Sequence, residues 1–194
     1  ALMMGFLGIF QNDIKRVIAY STLSQLGYMT VALGVSAYSV AIFHLMTHAF
    51  FKALLFLAAG SVIIGMHHDQ DIRNMGGIRR YMPITWITFL IGSLALIGTP
   101  FLSGFYSKET IIEAARASDI FGANFAYFSL MIGIFITAFY STRLYFLVFH
   151  GKEKWHNNKN ENHHGLLKGQ KPHESSFVII FPLILLAIPS LAIG

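Results

Sequence analysis

The stretch 41–65 is almost unbroken apolar sequence, long enough to cross the hydrocarbon core of a bilayer as one helix. It nevertheless carries three basic side chains spaced four residues apart, His44, His48 and Lys52. On an α-helix this spacing places all three on one stripe about 12 Å long. Placing a lysine at the centre of a membrane helix costs about 2.5 kcal/mol or more in insertion free energy, so such a lysine usually has a function. The stripe therefore predicts a route for protons or cations through a membrane.

The composition of the whole chain also indicates a membrane protein. Of its 194 residues, 55% are hydrophobic and only 12% are charged, which is about half the charged share of soluble domains. The net charge of +5 is explained by lysines and arginines that gather in loops on one side of a bilayer. We therefore expect the chain to lie in a lipid bilayer, and we expect no nucleic-acid partner.

Several kinds of site are excluded by residues that the chain lacks. It has no cysteine, which rules out disulfides, iron–sulfur ligation and thiolate zinc sites within these residues. No glycine-rich nucleotide loop follows a strand pattern, so we expect no NADH or ATP site and no cofactor in this chain. Because the sequence begins without methionine, inside one apolar run, and ends inside another, we expect residues 1–194 to be a single transmembrane domain, an internal fragment of a longer protein.

Six membrane segments follow from the alternation of apolar and polar sequence. Asp13 and Pro83 stand at favourable positions for the start of a helix. Two hydrophilic stretches, 67–82 and 151–174, separate apolar runs. The expected segments lie at 1–11, 14–34, 38–66, 83–117, 123–149 and from 175 onward.

The segment 83–117 is interrupted at 98–104, where a proline stands between two glycines and should break a helix. The segment could cross the membrane twice, or cross once with a break near the midplane. A single crossing brings the basic loops 67–82 and 151–174 to the same side, as the positive-inside rule requires, whereas two crossings largely remove this asymmetry. We therefore predict an all-α, polytopic transmembrane helix bundle with one discontinuous transmembrane helix at 83–117, and we place both loops in the cytoplasm.

Lys52 is the leading candidate for a proton carrier. It lies near the centre of its helix, and burial in hydrocarbon disfavours the charged form of an amine, so Lys52 is suited to gain and lose a proton. The alternative is a lysine permanently paired with a carboxylate for structure, although its own helix contains none.

His44 and His48 are candidates for a proton relay, because an imidazole titrates near pH 6.5 and has two exchangeable positions. Histidines at i and i+4 also bind zinc, so a metal pair is one alternative, and a pair of packed, hydrogen-bonded histidines is another. The motif lacks the glutamate of the zinc-hydrolase helix His-Glu-x-x-His.

Two further lysines are candidates. Lys108 follows the helix break at the start of a half-helix, where the positive end of the helix dipole should help it to release a proton. The alternative for Lys108 is a salt bridge with Glu109 or Glu113. Lys15 lies beside a helix start, where anchoring at the membrane interface explains it as well as function does.

The motifs resemble the antiporter-like subunits of respiratory complex I. The segments that carry the resemblance are 13–22, 24–28, 43–57, 75–79, 104–109 and 148–152. The resemblance implies that Lys52 is the central proton carrier, that Lys108 lies on the exit side, and that His44 and His48 link the polar axis to which Lys15 also belongs. It implies a proton that comes from the side of the basic loops, reaches Lys52 through water and the histidines, and leaves through Lys108.

The same resemblance implies partners that the chain does not contain. NADH, FMN, iron–sulfur clusters and quinone would be bound by sister subunits, and the chain would contact other membrane subunits of complex I in a bacterial inner membrane. The central motif is shared with multisubunit cation/proton antiporters, so a subunit of such an antiporter is an alternative. A membrane enzyme with a zinc ion held by His44 and His48 is a second alternative.

Overall fold

The computed structural model describes residues 1–155, 165–166 and 170–193, so Lys159 and Lys168 of the predicted cytoplasmic loop lie outside the described residues. Within these residues the chain is an all-α membrane bundle, as predicted, and no strand occurs in them. The helices are α1 (Leu2–Phe10), α2 (Ile14–Gly34), α3 (Tyr38–Gly65), α4 (Pro83–Ile97), α5 (Ser103–Arg116), α6 (Ala123–Tyr145) and α7 (Phe177–Ala192); a 3-10 turn covers Ile78–Arg80 and a π-helical turn covers Phe146–His150.

The helix starts follow from local sequence. The carboxylate of Asp13 accepts hydrogen bonds from the backbone N–H groups of Lys15 at 2.8 Å and Arg16 at 3.1 Å, which caps α2 as predicted. Pro83 occupies the first turn of α4, where its missing N–H leaves no helical bond unmade. By length and composition, two helices of the described residues can span a membrane, Tyr38–Gly65 and Ala123–His150; Pro83–Ile97 and Phe177–Ala192 are shorter apolar helices.

The predicted break in the segment 83–117 is present and spans residues 98–102. Gly98 ends α4 with a φ of 89°, a left-handed conformation that glycine adopts without steric cost. Phe101 has a φ of 71°, so the connection is too irregular to continue the helix. The backbone resumes as α5 at Ser103, two residues earlier than the sequence predicts.

Contacts with α3 show that α4 and α5 form one interrupted crossing. Thr85, near the start of α4, lies 2.8 Å from the Ser61 hydroxyl, and Gly92 packs against Leu54 and Leu55. Ser107 of α5 then contacts His44 at 2.9 Å. Successive residues of α4 and α5 thus meet successively earlier residues of α3, as a single discontinuous helix antiparallel to α3 requires. The prediction of one discontinuous helix is confirmed.

Most described loops lie at one end of the bundle, which we call the basic end and define by residues 11–13, 66–82, 146–155, 165–166 and 170–176. The backbone N–H of Gly165 donates to the carbonyl of His67 at 3.0 Å, and the Trp155 indole donates to the carbonyl of Gly76 at 3.2 Å. The opposite end is defined by 35–37 and 117–122, which border one cavity. Basic residues described at or next to the basic end are Lys15, Arg16, Arg73, Arg79, Arg80, Arg143, Lys152, Lys154 and Lys171.

The loop 66–82 is fixed against the start of α2. The N–H of Ile14 donates to the carbonyl of Gln70 at 3.0 Å, and the N–H of Ile72 donates to the carbonyl of Asn12 at 2.8 Å. Hydrogen bonds from the side chain of Arg73 hold the pKa of the Asp71 carboxyl below its usual value. These contacts tie the loop to the bundle.

The break requires glycine at position 104 as well. A Cβ on Gly104 would overlap the carbonyl of Ala95, and backbone atoms cannot move aside as a flexible side chain can. We expect Gly104→Ala to destabilise the bundle by about 1–3 kcal/mol, the cost of overpacking. The measurement is the fraction of the assembled complex that survives heating. Gly60→Ala in α3 is the matched control, because nothing lies within 4 Å of its added Cβ; equal survival of both variants would contradict this account.

Candidate functional site

Four predicted residues come together in one buried row. The antiparallel packing of α3 against α2 buries His44, His48 and Lys52, and α5 adds Lys108, which is only 3% exposed. The imidazole rings of His44 and His48 lie 6.0 Å apart between centroids. The row therefore runs from Lys52 through the two histidines toward Lys108.

Lys52 reaches across to α2, where its ammonium donates to the hydroxyl of Ser21. The Ser21 hydroxyl donates in turn to the carbonyl of Ile18 at 2.7 Å. Helical periodicity explains this arrangement, because Ser21 lies on the face of α2 that the bundle buries. Lys52 is thus held by a neutral hydroxyl.

His44 joins α3 to the half-helix α5. Its Nδ1 lies 2.9 Å from the hydroxyl of Ser107, and Thr47 donates to the same hydroxyl at 3.0 Å. Ser107 is fully buried and directly precedes Lys108 in the chain. The contact therefore places the histidine pair beside the second lysine of the row.

Lys108 bends back over the helix break. Its ammonium donates to the carbonyl of Leu96, in the last turn of α4, and lies 5.6 Å from the centroid of the Tyr28 ring. The sequence argument considered only the positive end of the α5 dipole. In the structure the ammonium meets the negative end of α4, so the two half-helices act on it in opposite directions. Lys108 forms no salt bridge among the described residues, so the alternative of an ion pair with Glu109 or Glu113 is not observed there.

Lys15 is not part of the buried row. It lies in the first turn of α2 with an exposed side chain, whereas the buried face of that helix carries Ile14, Ile18 and Ser21. One position from Ile14 is a rotation of about 100° on a helix, which turns Lys15 away from the row. The structure thus leaves Lys15 outside the axis to which the resemblance assigned it.

The order of the row corrects one expectation. The sequence argument placed the histidines between the basic end and Lys52. Because α3 runs toward the basic end, Lys52 lies nearer to that end than His48 or His44. The histidines therefore lie on the side of Lys52 away from the basic end, and a different group must face Lys52 on the side of the basic end.

The row consists of basic side chains, and no carboxylate of the described residues compensates it. Among the described residues, the salt bridges are Arg16 with Asp13 and Arg73 with Asp71, so neither Lys52 nor Lys108 is paired. A buried ammonium without a counter-charge is costly, and a second charge close by is repelled. A proton on one group of the row therefore disfavours a proton on the next, which is the property that a stepwise carrier needs.

The two histidines do not form a recognisable metal centre. A catalytic zinc ion takes three protein ligands and a structural one takes four. Within the part of the chain that the structure describes, no third histidine, cysteine or carboxylate residue joins His44 and His48. Among the described residues, His44 and His48 thus supply two of the three or four ligands that a zinc site needs.

Gln25 lies on α2 beside the buried row, and neither polar atom of its side chain has a hydrogen-bond partner among the described residues. The contacts Ser21–Lys52 and Tyr28–His44 fix the register of α2 against α3 and bring Gln25 level with His48. Neither its amide nitrogen nor its oxygen has a partner among the described residues, and the Nε2 atoms of both histidines are likewise unpaired. Buried polar groups usually have partners, so these atoms are unusual in remaining unpaired among the described residues.

Lys108 borders a cavity of about 410 Å³ that extends toward the opposite end. Charged side chains of α5 line it, namely Glu109, Glu113 and Arg116, together with Tyr127 of α6. Arg116 ends α5, next to the loop that defines the opposite end. The cavity thus brings Lys108 together with charged side chains of α5.

Sequence reasoning missed Ser107 and the Leu96 carbonyl as members of the site. Ser107 had a signal, since it directly precedes Lys108. The Leu96 carbonyl had none, because every residue carries a carbonyl and only the path of the break decides which one is free.

The chain is similar in sequence to proteins of one family. A family model described as "NADH:quinone oxidoreductase/Mrp antiporter, TM" matches residues 1–133. NADH-quinone oxidoreductase subunit L of Neisseria meningitidis serogroup A is 68% identical over 201 residues, which cover all of this chain and 30% of that protein. NADH-ubiquinone oxidoreductase chain 5 of Phytophthora infestans is 52% identical over 194 residues, covering all of this chain and 28% of that one. The chain thus spans less than a third of the length of these relatives.

A solved structure is similar in fold. A chain of the membrane-bound sulfane sulfur reductase, an archaeal respiratory membrane complex, superposes with a TM-score of 0.80 at 26% identity. The match covers 97% of this chain and 29% of that one.

Proposed function

Because the chain belongs to the NADH:quinone oxidoreductase/Mrp antiporter transmembrane family, we propose that it is part of a membrane subunit that moves protons across a bilayer in an NADH:quinone oxidoreductase. The observation that carries the proposal is the row of Lys52, His48, His44 and Lys108, which is buried and has no carboxylate partner among the described residues. Such a row has no evident structural benefit in a membrane, since buried charges are costly.

In the proposed mechanism, a proton reaches Lys52 from the basic end and passes along His48 and His44 to Lys108. Each transfer is driven by repulsion, because a charge that arrives at one end of the row disfavours the charge already held at the next group. The Ser107 hydroxyl, 2.9 Å from His44, links the histidines to α5. The cavity beside Lys108 then gives the released proton access to the opposite end.

The proposal includes location and partners. The chain crosses a bacterial inner membrane several times, and its basic end faces the cytoplasm, in agreement with the positive-inside rule. Other membrane subunits of the complex are its neighbours. NADH, FMN, iron–sulfur clusters and quinone belong to those partner subunits, and reduction of quinone there supplies the energy.

Proton transport driven by NADH tests this proposal against the antiporter alternative. Inverted vesicles that contain the assembled complex with the full-length subunit should acidify inside when NADH is added, in potassium buffer without sodium. Acidification is read with a pH-sensitive dye, and a quinone-site inhibitor is the control that should abolish it. Transport that requires sodium, together with no NADH oxidation, would favour the cation/proton antiporter and contradict the proposal.

A further inference from the structure

The ammonium of Lys108 lies over the ring of Tyr28, which comes from α2. The nitrogen is 5.6 Å from the ring centroid, within the distance of about 6 Å at which an aromatic face attracts a cation. The same ring lies 6.4 Å from the ring of His44, measured between centroids. Tyr28 therefore borders both a histidine and the second lysine of the row.

Packing against α6 holds this ring in one place. Tyr28 is completely buried, and its hydroxyl donates to the carbonyl of Leu130 at 2.9 Å. Gly133, about one turn further along α6, leaves room for that hydroxyl, because a Cβ at Gly133 would lie 2.6 Å from the hydroxyl oxygen. The hydrogen bond at the far end of the side chain thus fixes the ring beside Lys108.

The ammonium of Lys108 is a group that such a ring can stabilise. A buried ammonium without a counter-charge is costly, and no carboxylate pairs with Lys108 among the described residues. The hydrogen bond to the carbonyl of Leu96 uses one of its three donors. Attraction between a cation and an aromatic face is strongest where water is excluded, and Lys108 is almost completely buried. The ring therefore favours the charged form of this amine over the neutral form.

We propose that Tyr28 is a positioning residue of proton transport, which stabilises the protonated form of Lys108 through the face of its ring and so sets how firmly Lys108 holds its proton. The inference rests on the proposed function, because it names the group that controls the second lysine of the row. The Tyr28 hydroxyl takes no part in the transfer, since its proton is directed to the carbonyl of Leu130.

Other titratable groups also act on Lys108, so an experiment has to separate their effects from that of the ring. The helices α4 and α7 contain no titratable side chain. The groups near enough to act on Lys108 come from α3, from α5 itself and from α6, namely His44, His48, Lys52, Glu109, Glu113, Arg116 and Tyr127. All of them stay in place when only the electron distribution of the ring at position 28 is changed.

The test replaces Tyr28, in the full-length subunit of the assembled complex, with phenylalanine and with phenylalanines that carry one, two or three fluorine atoms. Fluorine withdraws electrons from the ring face but keeps the shape of the ring, so the attraction to the ammonium weakens stepwise. The measurement is the number of protons transported per NADH oxidised in inverted vesicles, as a function of pH. We expect the alkaline limb of this profile to move stepwise to lower pH, by about one pH unit between phenylalanine and its trifluorinated form.

Phenylalanine is the reference of the series, because every member lacks the hydrogen bond to Leu130 in the same way. Phe89 of α4 is the matched control: it is buried and packs against Phe149 with 5.3 Å between ring centroids, and no cation lies over its ring among the described residues. Fluorination at position 89 should leave the profile where it is. If the phenylalanine variant at position 28 does not assemble, fluorinated tyrosines, which keep the hydroxyl, provide the same comparison.

A profile that stays in place along the series at position 28, or moves to higher pH, overturns the inference and leaves Tyr28 as a packing residue. An equal shift for the series at position 89 overturns it as well, because the effect would then not depend on the contact with Lys108. Both results would leave the proposed function intact, whereas full transport by Lys52→Met would remove the proposed function itself.

Discussion

Replacing Lys52 with methionine should lower proton transport through this subunit about 100-fold or more, the scale of a lost acid–base group. Methionine matches the length and apolar character of the lysine stem, so packing around Phe51 and Leu55 should be kept. What is lost is the ammonium that contacts the Ser21 hydroxyl. The measurement is NADH-driven acidification of inverted vesicles, normalised to NADH oxidation with ferricyanide, which reports how much complex has assembled.

Lys52→Arg separates proton carriage from a structural charge. Arginine keeps the positive charge but does not release its proton in a protein, so a carrier should fail with arginine almost as completely as with methionine. If Lys52 only supplied a positive charge, the Lys52→Arg variant should transport protons well. Lys154→Met, at an exposed lysine of the basic end, is the control and should leave transport unchanged. Normal transport by Lys52→Arg would contradict the assignment of Lys52 as a carrier.

The fold was predictable because its main signals are local. The end of α2 at Gly34, the start of α4 at Pro83 and the break after Ile97 each depend on composition, a cap or a helix-breaking residue within a few positions. The single crossing at 83–117 needed one non-local argument, the asymmetry of basic loops. The π-helical turn Phe146–His150 was missed, because a wider turn leaves no clear mark in the apolar periodicity.

The site was predictable only along single helices. Spacing of four residues is enough to align His44, His48 and Lys52, since they share one helix. The order of the row could be read from the sequence, since the loop 67–82 directly follows α3, but the expected proton path did not follow that order. Ser107 and the carbonyl of Leu96 come from two other helices, and no pattern within one helix predicts contacts that only packing creates.

Lys108 gives the second large effect, and its contact with α4 allows a sharp test. The ammonium donates to the carbonyl of Leu96, which the break leaves without a helical partner. Lys108→Gln keeps a neutral donor one bond shorter than the ammonium, but an amide does not carry a proton at neutral pH. We expect Lys108→Gln to lower NADH-driven proton transport about tenfold or more, while the complex assembles as the unmodified protein does.

Lys108→Met removes the donor as well as the proton carrier. It should leave the Leu96 carbonyl unsatisfied in a buried place, at a cost of about 1–3 kcal/mol. We therefore expect Lys108→Met to lose assembled complex on heating faster than Lys108→Gln, although both transport equally poorly. Suppose that Lys108→Gln transports protons at the unmodified rate while Lys108→Met does not. Lys108 would then only connect α4 and α5 through its hydrogen bond. The proton outlet would have to be the carboxylates of Glu109 and Glu113, which line the same cavity.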